Sequence, residues 1–331
     1  MALKFHWVTL LFIYLVVIAG SIVRMTGSGM GCPDWPKCFD QYIPPTDSED
    51  LPDNYQDYYS SKRAEKIKRF SSFLRTIGLD EKADVLQNDK TLKKLLVEQP
   101  FNVWNTWTEY INRLIGAIAG LFILGGVIIA LFSKNQRPRK VILCSLLLVL
   151  TFFQAWWGAM VVATNIVPWV LTVHMILAAF MIGLQFIIIE QWTVQKNSIP
   201  SSLRRLAVLG IVILIIQIII GTQVRQHVDE WLTTNTRNGF NLSQIADFIS
   251  HRTVALVLVI YVLLLTFINY VKKVHSKIVY AIFIVIIIEA VTGKILADFS
   301  LPMFLQPFHL LFALLLFGLL TRLFFNSKNN Q

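Results

Sequence analysis

The sequence predicts an all-α polytopic membrane protein, with eight transmembrane helices forming two pseudo-symmetric four-helix bundles. Composition, the length of the apolar runs and an internal repeat carry this expectation. Of 331 residues, 55% are apolar and 15% charged, against about 45–50% and 25% in soluble domains. Such a chain is solvated mostly by lipid. Apolar runs of about 20 residues, enough to cross roughly 30 Å of hydrocarbon, fall at 7–25, 110–132, 140–163, 169–189, 206–224, 251–271, 278–297 and 305–325.

The first run reads as a retained helix rather than a signal peptide. It is long, carries Arg24 near its end and is not followed by a small-residue cleavage site. Orientation follows from the short basic loops, which stay cytoplasmic. Lys134, Arg137, Arg139 and Lys140 fill one, Lys196, Arg204 and Arg205 a second, and Lys272, Lys273 and Lys277 a third. Both termini are then expected on the cytoplasmic side of the cell membrane, in agreement with Lys4, Arg322 and Lys328. Topology and attraction to anionic lipid account for the net charge of +10, so the partner is the bilayer and no nucleic acid is called for.

The expected outer loops are 25–108, 164–168, 225–250 and 298–304, and only the first is long. Its turn-rich acidic stretch (Pro44, Pro45, Asp47, Glu49, Asp50, Pro52, Asp53) precedes Ile67, Phe70, Phe73, Leu74 and Ile77 at helical spacing, which predicts a small peripheral helical cap. Cys32 and Cys38 lie just outside the first span, where an oxidising compartment permits a disulfide. A metal pair is the rival reading, but two thiols with no second pair or nearby His make a poor zinc site. Cys144, within a span, is expected to be a small buried hydrophobe.

The repeat is more informative. Odd-numbered spans end on Gly20 with Arg24, Gln154 with Gly158, Gln217 with Gly221 and Arg225, and Glu289 with Gly293. Even-numbered spans begin on a polar residue with a small residue one turn on: Asn112 with Gly116, His174 with Ala178, His251 with Ala255, His309 with Ala313. Asn112-Arg113 also aligns with His251-Arg252, and Arg24 with Arg225. Residues 1–205, including outer loop 25–108, and 206–331 therefore read as two related halves.

A lone histidine in a span can be a satisfied interhelical hydrogen bond. Three at one repeated slot, at similar depth near the outer helix ends, point to a cofactor. Histidine is an axial ligand of heme iron, and the small residue one turn further in leaves room for a flat macrocycle. His251 and His309 are expected to pair in the second half, and His174 to serve the first. Arg24, Arg113, Arg225 and Arg252 gather where heme propionates would emerge, with snorkelling to headgroups as the alternative. His6, His227 and His275 fall outside the repeat and are expected to be solvated.

The run Gly20-Ser-Ile-Val-Arg24-Met-Thr-Gly-Ser-Gly-Met-Gly-Cys32-Pro-Asp-Trp-Pro-Lys-Cys38, the segment Glu109-Tyr-Ile-Asn112-Arg113, and His174, His251-Arg252 and His309 resemble the heme A synthase family. The resemblance covers the chain except the long first loop. It implies oxidation of a heme O methyl group to a formyl group through two successive oxygenations, an alcohol and then a gem-diol that loses water. The product, heme A, serves terminal oxidases. It also implies a resident heme b held by His251 and His309, heme O as substrate beside His174, and dealings with heme O synthase and terminal oxidase assembly factors.

Asymmetry between the halves fits that division. Glu109 lies three residues before Asn112 on the same helix face, whereas Phe248 holds the equivalent place before His251. Only the first half is thus expected to carry a carboxylate beside its heme, with Glu109 as the catalytic proton-moving group. The competing role for Glu109, with Thr108, is a helix cap. The chain departs from the family at Asn112, where the family has His, and in lacking a second cysteine pair in 225–250. Since an amide is a weak ligand for heme iron, His174 is expected to hold the substrate iron alone, with the opposite axial position open or taken by water. Two other functions share the bare pattern: a b-type cytochrome that only passes electrons, and a heme carrier without chemistry, which leaves Glu109 unexplained.

Overall fold

The computed structural model describes residues 1–88, 97–164, 167–193, 199–232, 245–299 and 301–326. Its regular elements are α1 (Ala2–Thr26), α2 (Tyr55–Thr76), α3 (Asp80–Asn88), α4 (Val103–Leu131), α5 (Arg137–Ala163), α6 (Pro168–Trp192), α7 (Ser201–Leu232), α8 (Ala246–Val271), α9 (Lys277–Asp298) and α10 (Gln306–Phe325). Eight of these, all but α2 and α3, are long and apolar enough to cross a bilayer. Their outward faces bare large apolar side chains such as Leu121, Val149, Phe152, Leu256, Phe267 and Ile284. A water-facing protein does not expose apolar surface on that scale. The chain is a multi-pass membrane protein.

The helices outrun the apolar stretches that predict them. Helix α7 has 32 residues, about 48 Å at 1.5 Å per residue, and continues past residue 224 into a polar turn. There Arg225 pairs with Asp229 at 2.7 Å and the Gln226 amide donates to Glu230 at 2.7 Å, contacts at helical spacing that carry a helix into water. Of the expected outer loop 225–250, residues 225–232 are therefore helix, and 233–244 lie outside the described residues. Helix α4 begins at Val103, seven residues before its apolar run. Asn102 caps it, its Oδ1 accepting from the Asn105 N–H at 3.1 Å. Glu109 consequently sits inside the second turn with 1% of its surface exposed, which removes the reading of Thr108 and Glu109 as the cap.

The chain divides into two compact units. One comprises Ala19–Ile118 and Phe152–His174, holding the cap and the adjoining ends of α1, α4, α5 and α6. In it the expected amphipathic helix of the long loop is α2, which buries Ile67, Phe70 and Leu74, while Ile77 is exposed and ends the stripe. Phe70 meets the rings of Trp156, Trp157 and Trp169, stacking on Trp169 at 6.2 Å. Arg63 and Glu98, both buried, pair at 2.6 Å and tie the end of the loop back to α2.

The second unit comprises Met1–Ile18, Ala119–Thr151 and Met175–Gln331. Within it α7, α8, α9 and α10 each pack on the next, and α10 closes back on α7. Leu214, Leu258, Val262, Leu265, Ile282 and Leu314 fill its core. Burying only one stripe of each helix leaves the opposite faces for lipid.

Candidate active site and cofactor pair

Glycine recurs against the same partner along the spans. A Cβ added to Gly158 would stand 3.1 Å from His174 Cε1, one on Gly221 3.1 Å from His251 Cε1, and one on Gly293 3.1 Å from His309 Cε1. At the first slot a Cβ on Gly20 would stand 3.7 Å from Asn112 Oδ1. The sequence repeat is thus a contact: each polar side chain lies on the glycine of the preceding span. Lacking a side chain, glycine lets the ring lie against the backbone of its neighbour.

The residue four before that glycine anchors the histidine. Gln154 Nε2 donates to the His174 carbonyl at 3.0 Å, and Gln217 Nε2 to the His251 carbonyl at 3.1 Å. Gln217 Nε2 also lies 3.3 Å from His251 Nε2. On α9 the anchor is Glu289, whose Oε1 is 3.2 Å from His309 Nδ1. Thr292 Oγ1 lies 3.1 Å from the same nitrogen. In the first span Val16 occupies the place four before Gly20, so the slot with Asn112 where the other three have His lacks a polar residue at the anchor position.

His251 and His309 face each other in the α7–α10 bundle, with ring centroids 6.5 Å apart. His251 Nδ1 is buried with no hydrogen-bond partner among the described residues. Two metal–nitrogen bonds of about 2 Å, each extended by the roughly 1.2 Å from nitrogen to ring centre, need about 6.4 Å. The separation fits an iron held between the rings. His174 Nδ1 and Asn112 Oδ1 are likewise buried without a partner among the described residues. Buried polar atoms are ordinarily satisfied, so these orphans fit a bound group.

Glu109 belongs to the unit that holds Asn112 and His174. Its Oε2 accepts from the Cys32 backbone N–H at 2.8 Å, and its Oε1 pairs with Arg113. Arg113 Nη1 also reaches the Asp34 carbonyl at 3.3 Å. Cys32 and Cys38 form a disulfide. The loop around it is held by Asp34, whose carboxylate accepts from the N–H groups of Phe39 and Asp40 at 2.7 and 3.0 Å. Gly31 lets this loop press on α4, since a Cβ there would come within 2.5 Å of the Asn105 backbone.

The remaining arginines are placed as follows. Arg24 is half-buried near the end of α1. Arg225 donates to Gln306 Oε1 at 2.6 Å besides pairing with Asp229. Arg252 is exposed one residue past His251. His227 pairs with Asp247 at 2.8 Å in a polar, part-exposed setting, and His275, exposed, lies 3.2 Å from the Tyr280 hydroxyl.

Two expectations are corrected. His6 is not solvated: it is 1% exposed, its ring lies 4.2 Å from that of Trp192, and Gln185 Nε2 donates to its carbonyl at 2.7 Å. Nor is the carboxylate confined to the first half. Glu289 stands beside His309, reaching it from the facing helix α9 rather than from the turn that precedes the histidine. The signal was its alignment with Gln154 and Gln217 four residues before a glycine.

The profile of the cytochrome oxidase assembly protein family, COX15-CtaA, matches residues 4–76 and 80–321. Among curated relatives, heme A synthase of Rickettsia felis is 23% identical over 99% of this chain and 98% of its own length. Heme A synthase of Shewanella oneidensis is 26% identical over 65% of this chain and 54% of its own. That of Flavobacterium psychrophilum is 24% identical over 63% and 56%. The chain matches about half the length of the latter two. With the family profile covering nearly all of it, the chain belongs to the COX15-CtaA family of cytochrome oxidase assembly proteins.

Proposed function

We propose that this protein is a heme A synthase, an oxidoreductase that converts a methyl group of heme O to the formyl group of heme A. Its relatives carry that name. The observation that carries the reading is the pairing of two unlike sites. One half has two facing imidazoles 6.5 Å apart; the other half carries one such imidazole, His174, the amide of Asn112 and the buried carboxylate of Glu109.

In this reading residues 206–331 hold heme b through His251 and His309, and residues 1–205 hold heme O through His174. The resident heme supplies one-electron transfer when bound. His174, held by Gln154 and seated on Gly158, orients the substrate on one face. Asn112 leaves the other face without a strong ligand, because an amide oxygen competes poorly with imidazole for iron. Glu109 stands one helical turn from Asn112. Its Oε2 is tied to the disulfide loop, so Oε1, on the Arg113 side, is the atom that exchanges protons as the methyl group is oxidised. Arg113 holds that oxygen between exchanges, and with Arg24, Arg225 and Arg252 offers guanidinium groups to the propionates. The aromatic packing of α2 on Trp156, Trp157 and Trp169 fixes the cap on the ends of α5 and α6 in the same unit.

The same reading puts the protein in the cell membrane with both termini cytoplasmic and the cap and heme sites toward the outer face. Heme O synthase and terminal oxidase assembly factors are its expected neighbours. Mass spectrometry of porphyrins extracted from the purified protein tests the function. Heme O, its hydroxylated form or heme A beside heme b is the expected result. Heme b alone, from cells that make heme O, would mean an electron-transfer cytochrome.

A further inference from the structure

The four spans that precede the repeated polar slot differ at one point of chemistry. Gln154 and Gln217 are neutral and reach the backbone of their histidines, and Val16 reaches nothing polar by its own chemistry. Only Glu289 brings a carboxylate, and it is directed at the imidazole rather than at the main chain.

Two side-chain oxygens stand at one nitrogen of the His309 ring. Thr292 Oγ1 donates its single proton to the Glu289 carbonyl at 2.9 Å. Toward His309 Nδ1, at 3.1 Å, that oxygen can therefore only accept. Glu289 Oε1 is a second oxygen near Nδ1, at 3.2 Å. Both oxygens lie at Nδ1, which makes Nε2 the nitrogen to bind iron, with the proton then on Nδ1. His251 differs: the only side chain at hydrogen-bond distance from its ring, among the described residues, is the neutral amide of Gln217, and its Nδ1 has no partner.

We propose that Glu289, assisted by Thr292, is a positioning residue that presents His309 Nε2 to the resident heme and makes it the stronger electron donor of the two axial ligands. A carboxylate on the far nitrogen of a ligating imidazole orients the ring and raises its basicity. A more basic ligand favours ferric iron over ferrous. The bundle thus holds its heme at a lower potential than two amide-anchored histidines would, which suits a group that must give electrons away. This rests on the reading of His251 and His309 as the heme ligands.

The test is an optical redox titration of the heme b of the purified full-length protein, with electron paramagnetic resonance of the ferric state. Glu289→Gln is close to isosteric and installs the residue that the second and third slots already carry. It should keep the low-spin heme and make it easier to reduce by at least tenfold in the equilibrium constant, about 59 mV for one electron. Glu289→Asp should recover part of the shift, and Thr292→Val should move the potential in the same direction by less. If Glu289→Gln instead sheds the heme while the protein stays in the membrane and Glu289→Asp retains it, the positioning role stands. A low-spin heme in Glu289→Gln with the wild-type potential and the wild-type resonance spectrum overturns the proposal while leaving the two ligands in place. Retention of the low-spin heme by His309→Ala overturns the ligand assignment itself.

Discussion

The backbone N–H of Cys32 donates to Glu109 Oε2 at 2.8 Å, so the disulfide loop after α1 and the buried carboxylate of α4 are mechanically one piece. The loop is stiffened by the Cys32–Cys38 bond, and the carboxylate inherits that stiffness. A group that exchanges protons with a substrate needs a position as much as an acidity.

Glu109→Gln tests what the carboxylate does there. The amide oxygen can still accept from Cys32, so the loop should keep its place and the heme b spectrum should not change. Oxidation of heme O should fall by about a hundredfold or more, the usual scale for losing a general acid–base group. The rate of heme O loss and heme A gain in reconstituted membranes measures this, and a wild-type rate would reduce Glu109 to a tether for the loop.

Either His251→Ala or His309→Ala should abolish the low-spin heme b signal, because each removes one of two ligands whose rings stand 6.5 Å apart. Immunodetection of the variant in the membrane fraction separates loss of the cofactor from loss of the protein. A low-spin heme b surviving in both variants would place the resident heme elsewhere.

Asn112→His should install an imidazole where Gly20 already leaves space, since a Cβ on Gly20 would stand 3.7 Å from Asn112 Oδ1, farther than the 3.1 Å at each histidine slot. In wild-type protein loaded with heme O, the substrate iron should be high spin beside the low-spin resident heme. The variant should show two low-spin centres and oxidise heme O more slowly, its second axial position now being filled. Cyanide, added to the ferric wild type, should convert one heme and not the other. Two low-spin signals from the loaded wild type would show that another residue ligates opposite His174.

The cap carries its own buried ion pair. Burial pushes the Glu98 carboxyl above its ordinary value, and Arg63 at 2.6 Å pulls it back down. Arg63→Met should destabilise the cap by about 3 kcal/mol by leaving a buried charge unpaired, and Glu98→Leu in the same chain should restore most of the loss. The sign with pH follows from linkage. With Arg63 gone the folded-state value rises further above the unfolded one. The folded cap then binds the proton more tightly, is most stable below the unfolded value, and loses stability as pH rises through the folded one. Limited proteolysis of 55–100 in detergent between pH 4.5 and 8 should show Arg63→Met cleaved faster as pH increases.

Much of this molecule follows from its order of residues alone. A run of about 20 apolar side chains has one stable state in hydrocarbon, a helix, because every backbone N–H and C=O must be bonded within the segment. Eight runs therefore meant eight spans, and the local spacing of Ile67, Phe70 and Leu74 sufficed to foretell α2. The recurring glycine and histidine were equally legible, since each residue's place along its own helix is a matter of counting.

What counting along one helix does not show is what stands opposite. The start of α4 at Val103 was set by Asn102 and polar residues that hydropathy ignores, and it removed the competing role of Glu109 as a helix cap by placing it in the protein interior. Glu289 was visible as a member of the repeat, yet its meeting with His309 depends on how α9 turns its face to α10. His6 reads as a residue at a helix end, but packing against Trp192 and Gln185 buries it. In each case the deciding contact joins segments far apart in the chain, and the energy that selects it, packing and hydrogen bonding between helices, has no counterpart in the pattern of a single one.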